Sequence, residues 1–181
     1  MPIQIQRRAS DPKLSFTDSI HPLLQRVYRQ RDILSVDDLN LGLSNLLTPD
    51  SFKDMDKALD LLVSCLVERK KILIVSDFDA DGATSCVLAI NVLRQFGADA
   101  IEYIVPNRFE FGYGLTPKIV ELAKLRNPAL IITVDNGISS IEGVETAHTA
   151  GIDVLITDHH FATARLPAAH DILNPHQPEC D

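Results

Sequence analysis

From Lys71 onward the chain repeats one pattern: a short apolar run, a polar turn, a helical stretch, then another apolar run. The runs are "KILIVS", "AIEYIV", "ALIITV" and "DVLIT", separated by helical stretches at 82–96, 116–126 and 139–150. Strands alternating with helices of this length dictate βαβ units and a parallel sheet. The runs are apolar throughout rather than alternating, as expected when helices cover both faces. The predicted class is α/β: a doubly wound, mainly parallel sheet over residues 71–181, preceded by a helical segment. Residues 1–70 form that preface. Its first 16 or so residues, polar and carrying Pro2 and Pro12, read as an irregular arm. The pattern from Asp18 to Glu68 reads as helical, clearest in "DKALDLLVSCLVERK", where Leu59, Leu62, Val63, Leu66 and Val67 fall on one face.

Composition narrows the function classes. The 181 residues are 45% hydrophobic and carry a net charge of −8, so the chain has a real core but no general electrostatic hold on phosphate backbones. Any nucleic-acid role is therefore local. No apolar run approaches the ~20 residues that span a bilayer, and the first residues lack a signal-peptide core, which predicts a cytoplasmic protein with no membrane partner. Cys65, Cys86 and Cys180 are three scattered residues without a C-x-x-C pair, and are expected to be reduced thiols.

Ligands of open α/β sheets bind outside the carboxyl ends of the strands. Three such ends here carry acids. Asp77, Asp79 and Asp81 follow the first run, Asp135 in "TVDNGISS" the third, and Asp158, His159 and His160 the fourth. Parallel strands bring these to one rim, where crowded carboxylates repel unless oxygen and imidazole ligands surround Mn²⁺ or Mg²⁺. "DFDADG" also matches half an EF-hand loop, but position twelve is Leu88 where that loop needs Glu. Asp is moreover a common turn former and N-cap, and Ser139 or Ser140 is positioned to cap the helix after "DNG". Adjacent histidines in extended backbone point oppositely, so one is expected to meet a metal while the other serves substrate or proton transfer. In "VPNRFEFGYGLTP", Thr116 caps and Pro117 starts a helix. Arg108 there suits a phosphate, and Phe109, Phe111 or Tyr113 suits a base.

"SDFDADGATS", "TVDNGISS" and "ITDHH", in this order, resemble motifs I to III of the DHH phosphoesterase superfamily. "VPNRFEFGYGL" and the later "LNP" are similar to its bacterial single-stranded-DNA exonuclease branch. The resemblance runs from about Lys71 to Pro175. It implies metal-dependent 5′-to-3′ hydrolysis of single-stranded DNA in recombination and repair, with Mn²⁺ or Mg²⁺ and two ions in the complete enzyme. By position it makes Asp79, Asp81, Asp135 and His159 metal ligands, with Asp77 a further candidate and Asp135 between the ions. His160 then contacts the scissile phosphate as a catalytic residue, Asp158 orients the histidines, and Arg108 and Tyr113 join His160 in binding substrate. Single-strand-binding protein or helicase partners are implied too. Val75 stands where manganese pyrophosphatases carry a histidine, which argues against that branch. Three other functions compete: a small-substrate phosphodiesterase acting on oligoribonucleotides or phosphorylated nucleosides; a non-catalytic single-strand-binding relative, which would have lost ligands that are all present here; and a receiver-type phosphoacceptor domain, which also places Asp at strand ends with Mg²⁺ but does not explain Asp-His-His. The resemblance further implies a fourth motif beyond residue 181, so 71–181 is expected to be a catalytic domain cut before that motif and inactive alone. Asp171 and Asp181, following no apolar strand, are poor substitutes for its Asp.

Overall fold

The computed structural model describes residues 4, 6, 20–33, 35–177 and 180. The expected irregular arm thus lies outside the described residues except for Gln4 and Gln6, as does Asp181. By its internal contacts the chain divides into two units, 1–48 and 49–181. Among the described residues of the first, α1 (Pro22–Arg29) is the only α-helix. It opens on Pro22, whose missing N–H costs nothing at a first turn, and the His21 Nδ1 accepts from Leu23 N at 3.2 Å. The other regular structure described there is two 3₁₀ turns, Asp37–Leu39 and Leu43–Asn45. The helical reading of Asp18–Glu68 was therefore too broad. Asn40, Gly42, Asn45 and Pro49 break it, because each favours turns over helix interiors.

In the second unit come α2 (Met55–Val67), β1 (Ile72–Ser76), α3 (Ala80–Gln95), β2 (Ile101–Ile104), α4 (Arg108–Phe111), α5 (Pro117–Lys124), β3 (Leu130–Val134), α6 (Ile141–Thr149), β4 (Asp153–Thr157) and β5 (Asp171–Leu173). The five strands are all parallel, in the order β2-β1-β3-β4-β5. The strand order reverses between β1 and β3, and the crevice of such a sheet opens there. Every residue of β1 and β3 is buried. Alternation sends Ile72, Ile74, Leu130, Ile132 and Val134 to one face, under α2 and α3, and Leu73, Val75 and Ile131 to the other, under α5 and α6. This is the double winding that the uninterrupted apolar runs require. No described helix is long and apolar enough to cross a membrane.

Three local readings need correction. In α2 the buried residues are Ala58, Leu61 and Cys65, whereas Leu59, Val63 and Val67 are exposed. The helix is apolar on two adjoining faces, and the small Ala58 and Cys65 let it approach the sheet on the other one. Ser140 stands at the N-cap of α6 but its hydroxyl caps nothing there, accepting instead from Leu115 N at 3.0 Å. Finally, a fifth strand exists, and it begins at Asp171, which therefore stands at its amino end and not at the carboxyl rim. Thr116 and Pro117 do start α5, and Cys65, Cys86 and Cys180 are free.

Candidate metal centre

At the end of β1 the chain turns directly into α3, and Asp79 is the N-cap, its Oδ1 accepting from Asp81 N and Gly82 N at 3.2 Å. Gly82 is obligatory at that turn, since a Cβ would stand 2.4 Å from the Asp77 carbonyl oxygen. The bond from Gly82 is the main cause holding the Asp79 carboxyl below its ordinary range. Asp77 is buried and already partnered. Its Oδ1 accepts from Phe78 N at 2.8 Å, and Arg108 Nη2 donates to Oδ1 at 3.0 Å and Oδ2 at 2.7 Å. The guanidinium lies 4.0 Å over the Phe78 ring and 5.1 Å over Tyr113, favourable cation–π placements.

At the end of β3, Asp135 adopts a left-handed φ of +61°, a conformation Asp and Asn tolerate best among residues with a side chain. It is buried, and burial pushes its carboxyl up, with the Asp79 charge adding to the shift and the His159 bond opposing it. The next residue, Asn136, locks the switch point. Its Nδ2 donates to Val75 O at 3.0 Å and Val134 O at 2.9 Å, tying the ends of β1 and β3 together.

Asp158 organises the third element. Its Oδ2 accepts from Ile138 N at 3.0 Å, and its Oδ1 from His159 N at 2.7 Å and His160 N at 3.1 Å. This tight turn replaces the extended backbone expected at His159 and His160. The two rings consequently do not oppose each other, but sit with centroids 4.7 Å apart. His159 Nε2 bonds Asp135 Oδ1 at 2.9 Å, while His160 Nδ1 bonds Asp158 Oδ1 at 2.7 Å, the chief cause raising the His160 pKa. Tyr113 Oη stands 3.4 Å from His160 Nδ1, and burial followed by the surrounding carboxylates pushes its phenol up to about 12.

Two triads can offer ligand atoms lying within 4.8 Å of one another: Asp77, Asp79 and Asp135, and Asp135, His159 and His160. Asp135 belongs to both. The carboxylate oxygens suit Mn²⁺ or Mg²⁺, and the mutual repulsion of Asp79 and Asp135 is what a cation would relieve. Asp81 joins neither triad among the described residues. It lines the adjoining cleft, with Thr84, Ser85, Asp135, Asp158 and His159. Phe111 packs partly buried against the core and is not free to stack, whereas Phe109 is fully exposed. Sequence reasoning missed Asn136, Thr84 and Ser85. The "DNG" turn signal hid the first, and the first turn of α3 carries the other two.

A family model described as "DHH family, N-terminal domain" matches residues 71–181. The chain is 43% identical over 179 residues to the single-stranded-DNA-specific exonuclease RecJ of Escherichia coli strain K12, covering 99% of this chain and 31% of that protein. It is 46% identical to the enzyme of the same name from Haemophilus influenzae, over 90% of this chain and 28% of that one. It thus spans about a third of the length of these relatives. A crystal structure of exonuclease RecJ bound to manganese superposes with a TM-score of 0.66 at 30% identity, over 74% of this chain and 34% of that one. With the parallel sheet, the shared Asp135 and the Asp-His-His turn at one rim, these findings agree: the chain belongs to the DHH family.

Proposed function

We propose that this chain carries part of the catalytic domain, residues 71–181, of a single-stranded-DNA-specific 5′-to-3′ exonuclease acting in recombination and repair. The observation that supports this best is Asp135, held by a left-handed turn at the sheet's switch point with its carboxylate within ligand reach of both the Asp79 carboxylate and the His159 ring. In this reading Asp79, Asp81, Asp135 and His159 hold divalent cations, Mn²⁺ or Mg²⁺. When bound, these supply acidification of water and neutralisation of charge on the phosphoryl oxygens.

The remaining work falls to the chain's own groups. Asp158 fixes the His160 ring by accepting from its Nδ1 side, leaving the opposite edge of the imidazole for a phosphate oxygen. A raised pKa keeps that ring protonated further into the neutral range, suiting it to an anionic partner. Asp77 serves as the anchor of Arg108 rather than as a ligand, since Arg108 and Phe78 N already occupy its oxygens. Arg108, anchored on Asp77, then walls the site on the β1 side, while Tyr113 reaches over Asp135 to His160, and both join His160 in binding substrate. A cytoplasmic location and single-strand-binding protein or helicase partners complete this reading.

The test is a Mn²⁺-dependent assay of the longest natural chain containing this sequence on 5′-labelled single-stranded DNA. Release of label as mononucleotide, lost in Asp135→Ala, is expected. Cleavage confined to dinucleotides, or near-normal turnover by Asp135→Ala, would overturn it.

A further inference from the structure

Two aromatic side chains meet at the rim beyond the Asp-His-His turn. Phe161, which follows His160 directly, is 81% exposed, and its ring lies 4.4 Å from the His176 ring at an interplanar angle of 34°. The two come from different loops, one after β4 and one after β5, so their meeting is not a local accident of sequence. A fully buried Asn174 brackets them: its Nδ2 donates to His160 O at 2.9 Å and its Oδ1 accepts from His176 N at 2.7 Å. Gln177, also buried, pins the second loop by donating to Ile172 O at 2.8 Å. Buried amides thus hold a pair of rings that is exposed among the described residues.

We propose that Phe161, backed by His176, is a stacking platform for one nucleobase of the bound single strand. This rests on the exonuclease reading above. An exposed phenyl ring on a polar rim offers a flat apolar face, and every base has a π-face to cover it, which makes such contacts tolerant of sequence. The place fits the path of a strand. β5 lies two positions from β3 in the sheet, roughly 10 Å at the usual spacing. At about 3.4 Å per stacked nucleotide, the platform meets a base within about three nucleotides of a phosphate at Asp135. Phe78 and Arg108, which follow β1 and β2, lie across Asp135 from it in the strand order, so a strand held at the metal centre reaches the platform on the β4–β5 side.

The experiment uses the longest natural chain and a fluorescent oligo-dT strand, with Ca²⁺ replacing Mn²⁺ to hold back cleavage and a single abasic residue moved along the first six or so nucleotides. For the unaltered protein, one abasic position weakens binding about 10-fold. Phe161→Ala binds the intact strand about 10-fold more weakly and loses nothing further at that position, Phe161→Trp restores both, and the salt dependence is the same in all three because no phosphate contact changes. Unchanged affinity in Phe161→Ala, or a full abasic loss persisting in it, overturns the platform while leaving the exonuclease reading standing. Failure of the unaltered protein to bind any single strand overturns both.

Discussion

Replacing Gly82 by Ala tests whether the close approach of α3 to the end of β1 builds the metal centre. The added Cβ would stand 2.4 Å from the Asp77 carbonyl oxygen and 2.7 Å from its carbonyl carbon. Carbon–oxygen contacts settle near 3.3 Å, so something must retreat by about 1 Å. The obstacle is backbone at the end of a fully buried strand, so the yielding part is the first turn of α3, with Asp79 and Asp81 on it. Overpacking of this kind costs about 1–3 kcal/mol, and weakening the Asp79 cap adds about 1 kcal/mol. A loss of about 2–4 kcal/mol corresponds to a fall of roughly 1–2 M in the urea midpoint. Metal ligands tolerate displacements of only about 0.2 Å, so Mn²⁺ affinity should fall at least about 10-fold as Asp79 moves away from Asp135. Urea unfolding without metal and calorimetric titration with Mn²⁺ read the two effects separately. A Gly82→Ala protein with an unchanged midpoint and unchanged Mn²⁺ affinity would refute the reasoning.

Asp135→Asn keeps the left-handed turn but removes a buried charge facing Asp79, so the metal-free protein should become more stable at neutral pH while calorimetric Mn²⁺ binding collapses; Asp135→Ala should instead lose about 1 kcal/mol through the backbone. Because the Asp135 pKa is raised, the stability of the metal-free protein should fall as pH climbs from the ordinary carboxylate range through that raised value, a dependence that Asp135→Asn flattens in urea titrations. For His160, also raised, the stabilisation from its Asp158 bond is fully present below the ordinary histidine value and fades as pH rises through the folded one; in Asp158→Asn an NMR titration of the ring should move to lower pH. Asp171 is buried, its Oδ2 has no hydrogen-bond partner, and burial raises its pKa, so Asp171→Asn should raise the thermal midpoint at pH 7.

β1, β3 and β4 were legible because each is a five-residue run whose centre is buried on both faces, and the edge strand β2, where Tyr103 is exposed, because Ile101, Tyr103 and Ile104 are strand formers. β5 was not. It has three residues, only Ile172 and Leu173 of them apolar, and follows a 13-residue helix-free connection, 158–170, that carries no periodic signal. The four-residue α4 is too short for periodicity and rests on an Asn107 cap. At the rim, the acids and histidines could be named from sequence because strand ends converge in a parallel sheet. Their pairing could not. That Asp77 is engaged by Arg108, 31 residues away, depends on the loop after β2 folding back over β1. The shared orientation of His159 and His160 depends on one carboxylate oxygen receiving both backbone N–H groups. Such choices belong to hydrogen-bond geometry, which residue type constrains only weakly.

The order β2-β1-β3-β4-β5 also governs how the chain is born. During synthesis β1 emerges first of the described strands and acquires β2 next, on one flank only; its other flank waits for β3, more than fifty residues downstream. Through that interval the ribosome displays "ILIVS", an uncharged, β-prone strand with an open hydrogen-bonding edge, which is the kind of surface that recruits chaperones or joins neighbouring nascent chains. Charges flanking such a strand oppose its pairing with a wrong partner, and the acid-rich turn that follows, Asp77 to Asp81, stands where such charges act, while the tie between the two strand ends has to wait for Asn136.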